Sequence, residues 1–115
     1  MEIGIDIEQN ERFKHLSSHA LERIFTRQEL DFAMQYKNYH EQLCAMWCMK
    51  EATVKAFSNL KIPFLEIELS HSATGKPEII KNKTIMAELE RLGLSEIKVS
   101  LSHSKDYATA TVLIY

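Results

Sequence analysis

The chain has little of what makes proteins flexible or crosslinked. Its 115 residues include only 3 Gly, 2 Pro and 2 Cys. Such scarcity of Gly and Pro leaves no room for a linker or low-complexity tail, and one domain spanning 1–115 is expected. Cys44 and Cys48 stand four apart, on one face of an expected helix; that spacing is a weak metal or disulfide signal and reads as two core thiols. Basic excess is also absent. With 14 Lys and Arg against 16 Asp and Glu, the net charge is −2, which speaks against a nucleic-acid partner. No apolar run reaches spanning length and no targeting pattern is visible, so no membrane is expected and the cytoplasm is the expected location. There is no Gly-rich phosphate loop of the Walker or dinucleotide type, which removes most support for ATPase and Rossmann readings.

What is present has clear periodicity. MEIGIDIE at the start alternates Ile3, Ile5 and Ile7 against Gly4, Asp6 and Glu8. That period of two predicts a half-buried strand, with the isoleucines inside and the carboxylates on the wet face. A short helix is expected over residues 18–24. Thr26-Arg27-Gln28-Glu29 fits a capping box, predicting a helix from there to about Lys37. The longest helix is expected from Glu41 to about Asn59, with Leu43, Trp47 and Val54 as its apolar stripe and Met46 and Phe57 beside it. A strand over Phe64–Ser70, a turn at Thr74-Gly75-Lys76-Pro77 and a short strand to Ile80 follow. Ile85, Leu89 and Leu92 mark another helix, which Gly93 can end in a left-handed cap. Ile97–His103 and Tyr107–Ile114 close the chain as a hairpin. These elements predict an α+β domain, an antiparallel sheet packed with a long central helix.

The chemistry-bearing residues fall on three of these elements. Asp6 and Glu8 share one strand face; on spacing alone a solvated face is the better reading of them. Glu51 lies within the apolar stripe of the long helix, where a carboxylate is costly unless paired or metal-bound. A helical pair with Lys55 would satisfy it. If the helix crosses the first strand, Glu51 meets Asp6 and Glu8, and oxygen-only ligation of that kind suits Mg²⁺ together with substrate phosphates. Lys50, Lys55 and Lys76 would then neutralise polyphosphate oxygens. LSHS occurs twice, at 69–72 and 101–104. The copies run into unlike segments, so the echo is accidental and the two histidines need not share a role.

Three segments together resemble the 4′-phosphopantetheinyl transferases, in particular the short holo-acyl-carrier-protein synthase type. They are IGIDIE at 3–8, WCMKEATVKAF at 47–57 and SLSHSKDYATA at 100–110; FTRQEL at 25–30 and GKP at 75–77 also fit. The resemblance implies transfer of the phosphopantetheine arm of coenzyme A to a serine of an apo acyl carrier protein, with release of 3′,5′-ADP, in fatty acid biosynthesis. It implies Mg²⁺ on Asp6 and Glu51, with Glu8 matching the third acidic ligand of the two-lobed transferases. It casts Lys55 as catalytic near the pyrophosphate and Ser102 and His103 as coenzyme A contacts, with His71 a bystander; the residues' own placement adds Glu51 as a catalytic base and Lys50 and Lys76 as coenzyme A contacts. A homotrimer and an acidic carrier docking on Arg12, Lys14, Arg23 and Arg27 are further expectations. Two positions depart from the short family: Met46 stands where it often carries arginine, and FSNLKIP replaces a Gly-containing turn. A non-catalytic carrier-protein or coenzyme A binding module of the same fold is the alternative, and a metal-dependent phosphohydrolase a third reading.

Overall fold

The computed structural model describes all residues from Met1 to Tyr115. Strand β1 (Glu2–Gln9) runs through a 3-10 turn (Asn10–Phe13) into two short helices, α1 (Ser18–Glu22) and α2 (Arg27–Ala33). The long helix α3 (Tyr39–Phe57) follows, then a second 3-10 turn (Phe64–Glu66) and a small pair of strands, β2 (Leu69–His71) and β3 (Pro77–Ile79). Helix α4 (Lys83–Arg91) leads into the final hairpin, β4 (Ile97–His103) and β5 (Tyr107–Ile114). β1, β5 and β4 make an antiparallel sheet with β5 in the middle, and β2 pairs with β3 separately. The α+β architecture with a long central helix is therefore the one expected.

Small residues let α3 lie close on the sheet. β5 turns Ala108, Ala110, Val112 and Ile114 inward, and α3 meets the core with Ala45, Ala52 and Ala56 among its buried residues. Gly4 marks the tightest approach, because a Cβ there would lie 2.0 Å from the Ala52 carbonyl oxygen and 2.8 Å from the Ala56 nitrogen. No side chain fits, so Gly4 must face the helix. Strand alternation then commits Asp6 and Glu8 to the same side.

This overturns the expected orientation of β1. Ile3, Ile5 and Ile7 lie outside, 65%, 61% and 63% exposed. Hydrophobic alternation identified the strand but assigned its faces the wrong way, because backbone proximity at one glycine outweighs the burial of three isoleucines within the single chain. Their outward row is an apolar face that no part of this chain covers.

Two further expectations needed correction. Phe64–Ser70 is not one strand: it begins as a 3-10 turn, and pairing starts only at Leu69. The carbonyls of Phe64 and Ile67 instead turn toward the Lys50 ammonium, at 2.8 and 2.6 Å. Helix α2 stops at Ala33 rather than Lys37, although its capping box at Thr26 and Glu29 forms as expected. Gly93 has φ +70°, in keeping with the left-handed ending expected after α4. At the end of α3 the same left-handed conformation falls on Ser58, φ 53°, within the segment that lacks the family's glycine.

Candidate active site

β1 crosses α3 in the opposite direction. Gly4 touches Ala52 and Ala56, while the Glu8 carbonyl accepts from Cys44 Sγ at 3.6 Å, more than two turns earlier on the helix. Asp6 therefore falls beside the Glu51–Lys55 turn. Lys55 Nζ donates to Asp6 Oδ1 at 3.0 Å and to the Ile5 carbonyl at 2.9 Å. Lys55 thus turns to β1, and the carboxylate of Glu51 is left partly desolvated beside Asp6. Burial raises the Glu51 pKa above the usual carboxylate range, and the Asp6 charge pushes the same way; Lys55 and Arg12 oppose this.

Glu8 is differently engaged. Arg12 Nη1 approaches its Oε2 at 2.6 Å, and the same guanidinium lies over the Trp47 ring at 4.7 Å. The Gln9 N–H holds the Glu8 carboxyl below its usual range, against burial, which pushes it up, and with Arg12 helping. No group of three His, Cys, Asp or Glu side chains is arranged to hold a metal ion. Asp6 and Glu51 are neighbouring carboxylates at this crossing, and Glu8 anchors Arg12 against Trp47. Beneath them, both cysteines are buried and free, and Cys48 Sγ donates to the Ala108 carbonyl at 3.4 Å. The neighbouring Cys44 and burial push the Cys48 thiol well above its ordinary pKa, so it stays protonated and inert.

The second group of expected residues lies elsewhere. His103 ends β4, with Ser102 exposed just before it. His103 Nδ1 is 3.4 Å from Oε1 of Glu41, in the first turn of α3. A cavity of about 330 Å³ opens there, lined by Tyr36, Lys37, Asn38, Glu41, Gln42 and His103. Glu41 and Glu51 are ten residues apart on one helix, a separation of about 15 Å. Within one chain, then, His103 and the carboxylate pair do not touch; only an extended ligand or a second subunit can bring them to one reaction.

Lys50 does not belong to this surface. Its side chain is fully buried and its Nζ binds Glu29 Oε1 at 2.8 Å besides the two carbonyls already named. Glu29 in turn accepts from the Thr26 and Leu69 N–H groups at 2.9 and 3.0 Å. Desolvation lowers the Lys50 pKa, with Glu29 opposing it. The expectation of a coenzyme A contact at Lys50 is thus corrected: this lysine ties α2, α3 and β2 together inside the protein. Lys76 is exposed in the β2–β3 turn, beside a cleft of about 660 Å³ between β3 and β4. β4 and β1 are opposite edges of the sheet, so Lys76 stands far from Asp6 in the same chain. His71 stacks on Phe32, ring centroids 4.0 Å apart, and its pKa is lowered by burial. Among the basic residues, Arg12, Lys14 and Arg27 have nearby carboxylate partners in Glu8, Glu11 and Asp31, while Arg23 is exposed.

Sequence reasoning missed Glu29, Glu41 and Asn10. Glu29 was read only as a cap, though a lysine in an apolar helix face signals a buried partner. Asn10 is 1% exposed and donates from Nδ2 to the Ser104 and Lys105 carbonyls, at 2.8 and 3.0 Å. Nothing in a pattern of spacing announces a contact across more than ninety residues.

Comparison with known proteins bears on the family and the fold. The chain is 36% identical to a holo-[acyl-carrier-protein] synthase of Caldanaerobacter subterraneus subsp. tengcongensis, with 96% of this chain and 91% of the relative covered. Its fold superposes on the holo-[acyl-carrier-protein] synthase of Neisseria meningitidis with a TM-score of 0.88 at 29% identity, covering 99% and 97% of the two chains. The synthase of Bacillus anthracis str. Ames, solved in complex with CoA (3′,5′-ADP), gives 0.80 at 30% identity over 98% and 94%. The 4′-phosphopantetheinyl transferase superfamily matches residues 2–112, and the chain belongs to it, as a member similar to the holo-acyl-carrier-protein synthases along nearly its whole length.

Proposed function

We propose that the chain is a holo-[acyl-carrier-protein] synthase, which transfers the 4′-phosphopantetheine arm of coenzyme A to a serine of an apo acyl carrier protein and releases 3′,5′-ADP. The observation that supports this reading most directly is the meeting of Asp6 with Glu51 and Lys55 where β1 crosses α3. Two neighbouring carboxylates, one of them partly desolvated, are a hard oxygen donor set that suits Mg²⁺, an ion commonly held by one or two carboxylates plus phosphates. Asp6 and Glu51 would hold it, and Glu8 would join only by releasing Arg12. Bound there, Mg²⁺ would supply positive charge against the pyrophosphate oxygens.

The chain's own groups account for the remaining steps. The carrier serine oxygen forms a bond to the β-phosphorus of coenzyme A. The bond from that phosphorus to the bridging oxygen breaks, and 3′,5′-ADP leaves with the electron pair. The serine proton must be taken up as that bond forms, and Glu51, the carboxylate that Lys55 leaves free beside Asp6, or a water next to it accepts the proton. Lys55, half-exposed above Asp6, can swing to the pyrophosphate and stabilise the charge of the leaving group. Ser102 and His103 contact coenzyme A phosphates, with Lys76, beside the cleft next to β4, as a further contact.

A homotrimer would bring the two groups of residues together and cover the exposed row of Ile3, Ile5 and Ile7. The acidic carrier docks on Arg12, Lys14, Arg23 and Arg27, with Arg12 held ready by Glu8 and Trp47. Two free buried thiols fit a reducing, cytoplasmic setting, and no helix is long and apolar enough to cross a membrane.

The test is the intact mass of an apo acyl carrier protein incubated with the chain, coenzyme A and Mg²⁺. Gain of one phosphopantetheine arm, lost with EDTA and lost in Asp6→Ala and Glu51→Ala but retained in His71→Ala, is the expected result. No gain on any of several carriers, with coenzyme A still bound, would replace this reading by the non-catalytic module. Size measured by light scattering checks the trimer.

A further inference from the structure

We infer that Glu41 is the positioning residue for His103, fixing which ring nitrogen the histidine offers to coenzyme A; this rests on the proposed role of His103. The Glu41 carboxylate, 15% exposed at the start of α3, stands 3.4 Å from Nδ1 of a ring that is 38% exposed. A carboxylate can only accept, so the proton it favours sits on Nδ1, and Nε2 is the nitrogen left for a ligand. A half-exposed pair of this kind adds little to stability, yet Glu41 is enclosed and sits on the rigid central helix. The backbone beside His103 is held as well. Asn10 donates its N–H to the Asp106 carbonyl at 2.9 Å and its Nδ2 to the carbonyls of Ser104 and Lys105. Ser104 N–H donates to the Tyr107 carbonyl at 2.8 Å, closing the turn. The carboxylate on α3 thus biases the ring electrostatically, and the turn is held from the residue that follows β1. His103 meets coenzyme A with its ring already biased toward one tautomer, so less of the ordering cost is taken from binding.

The experiment is a double-mutant cycle on the dissociation constant of coenzyme A, measured by calorimetry without metal. His103→Ala should weaken binding about tenfold, and Glu41→Ala about fivefold, in proteins of unchanged Tm. Glu41→Gln, which keeps an acceptor oxygen, should stay within about twofold of wild type. Adding Glu41→Ala to His103→Ala should cost nothing more. Equal weakening by Glu41→Ala in both backgrounds, or none in either, would overturn the inference. No effect of His103→Ala itself would instead remove the role of His103 on which the inference stands, leaving Asp6 and Glu51 untouched. A second readout needs no substitution: ¹⁵N shifts of the neutral His103 ring should show the proton on Nδ1, and a proton on Nε2 would refute it.

Discussion

Gly4→Ala is the most informative single change, because its cost comes from one contact. The added Cβ would sit 2.0 Å from the Ala52 carbonyl oxygen, 2.8 Å from the Ala56 nitrogen and 3.0 Å from the Ala52 carbonyl carbon. All three are main-chain atoms of a buried helix, so no side chain can rotate away. Restoring ordinary contact requires β1 and α3 to separate by more than about 1 Å, which loosens the packing of neighbouring core groups. Overpacking of this kind costs about 3 kcal/mol, the upper part of the usual range. In urea, with a slope of about 1.5 kcal/mol per molar, the midpoint should fall by about 2 M at fixed protein concentration. Asp6 moves with β1, so transfer by the remaining folded protein should fall as well. Gly75→Ala is the control: φ is +84° but nothing lies within 4 Å of the new Cβ, and only about 1 kcal/mol of backbone strain is expected. A Gly4→Ala protein within about 0.5 kcal/mol of wild type would refute the claim that this glycine sets which face of β1 meets the helix.

Lys50→Met should destabilise by about 3 kcal/mol or more, since Glu29 is left buried without its counter-charge; calorimetry checks this, and a stable variant with a raised KM for coenzyme A would restore Lys50 to the site. Ser58→Gly should stabilise by about 0.5–1 kcal/mol, because glycine relieves the left-handed strain at the end of α3 at a smaller entropic cost; a Tm unchanged or lower would count against it. Glu51 is more basic in the folded chain than in the unfolded one, so the folded state holds more protons between those two pKa values and stability falls as pH rises through them. Metal-free Glu51→Gln should therefore gain on wild type as pH rises above the ordinary carboxylate range and level off once the folded Glu51 has ionised, while losing transfer; a gain that grows toward acid pH would reverse the assignment.

Much of the fold was readable before any coordinates. The alternation in residues 97–114 predicts β4 and β5 with matching bounds, and Thr26 with Glu29 predicts the start of α2 from cap chemistry alone. These are local signals, carried by neighbours a few residues apart. Alternation does not say which face of a strand is buried, and β1 shows why: Ile3, Ile5 and Ile7 were assigned inward on hydrophobicity, yet the decision lies at Gly4 and its contact with Ala52, far along the chain. The same blindness applies to charge. Lys50 and Lys55 are equivalent in a string of letters, but one turns inward to Glu29 and the other outward to Asp6.

By itself, then, the sequence determined the order and kind of the main elements, the residue types a phosphate chemistry requires, and the resemblance of three ordered segments to one family. Only the tertiary structure decided that Asp6 lies near enough to Glu51 to raise its pKa, that Glu8 is taken by Arg12, that Lys50 is buried, and that Glu41 stands against His103. Local pattern follows from steric and hydrogen-bonding rules within a few residues, whereas each of these pairings depends on how closely α3 can approach the sheet.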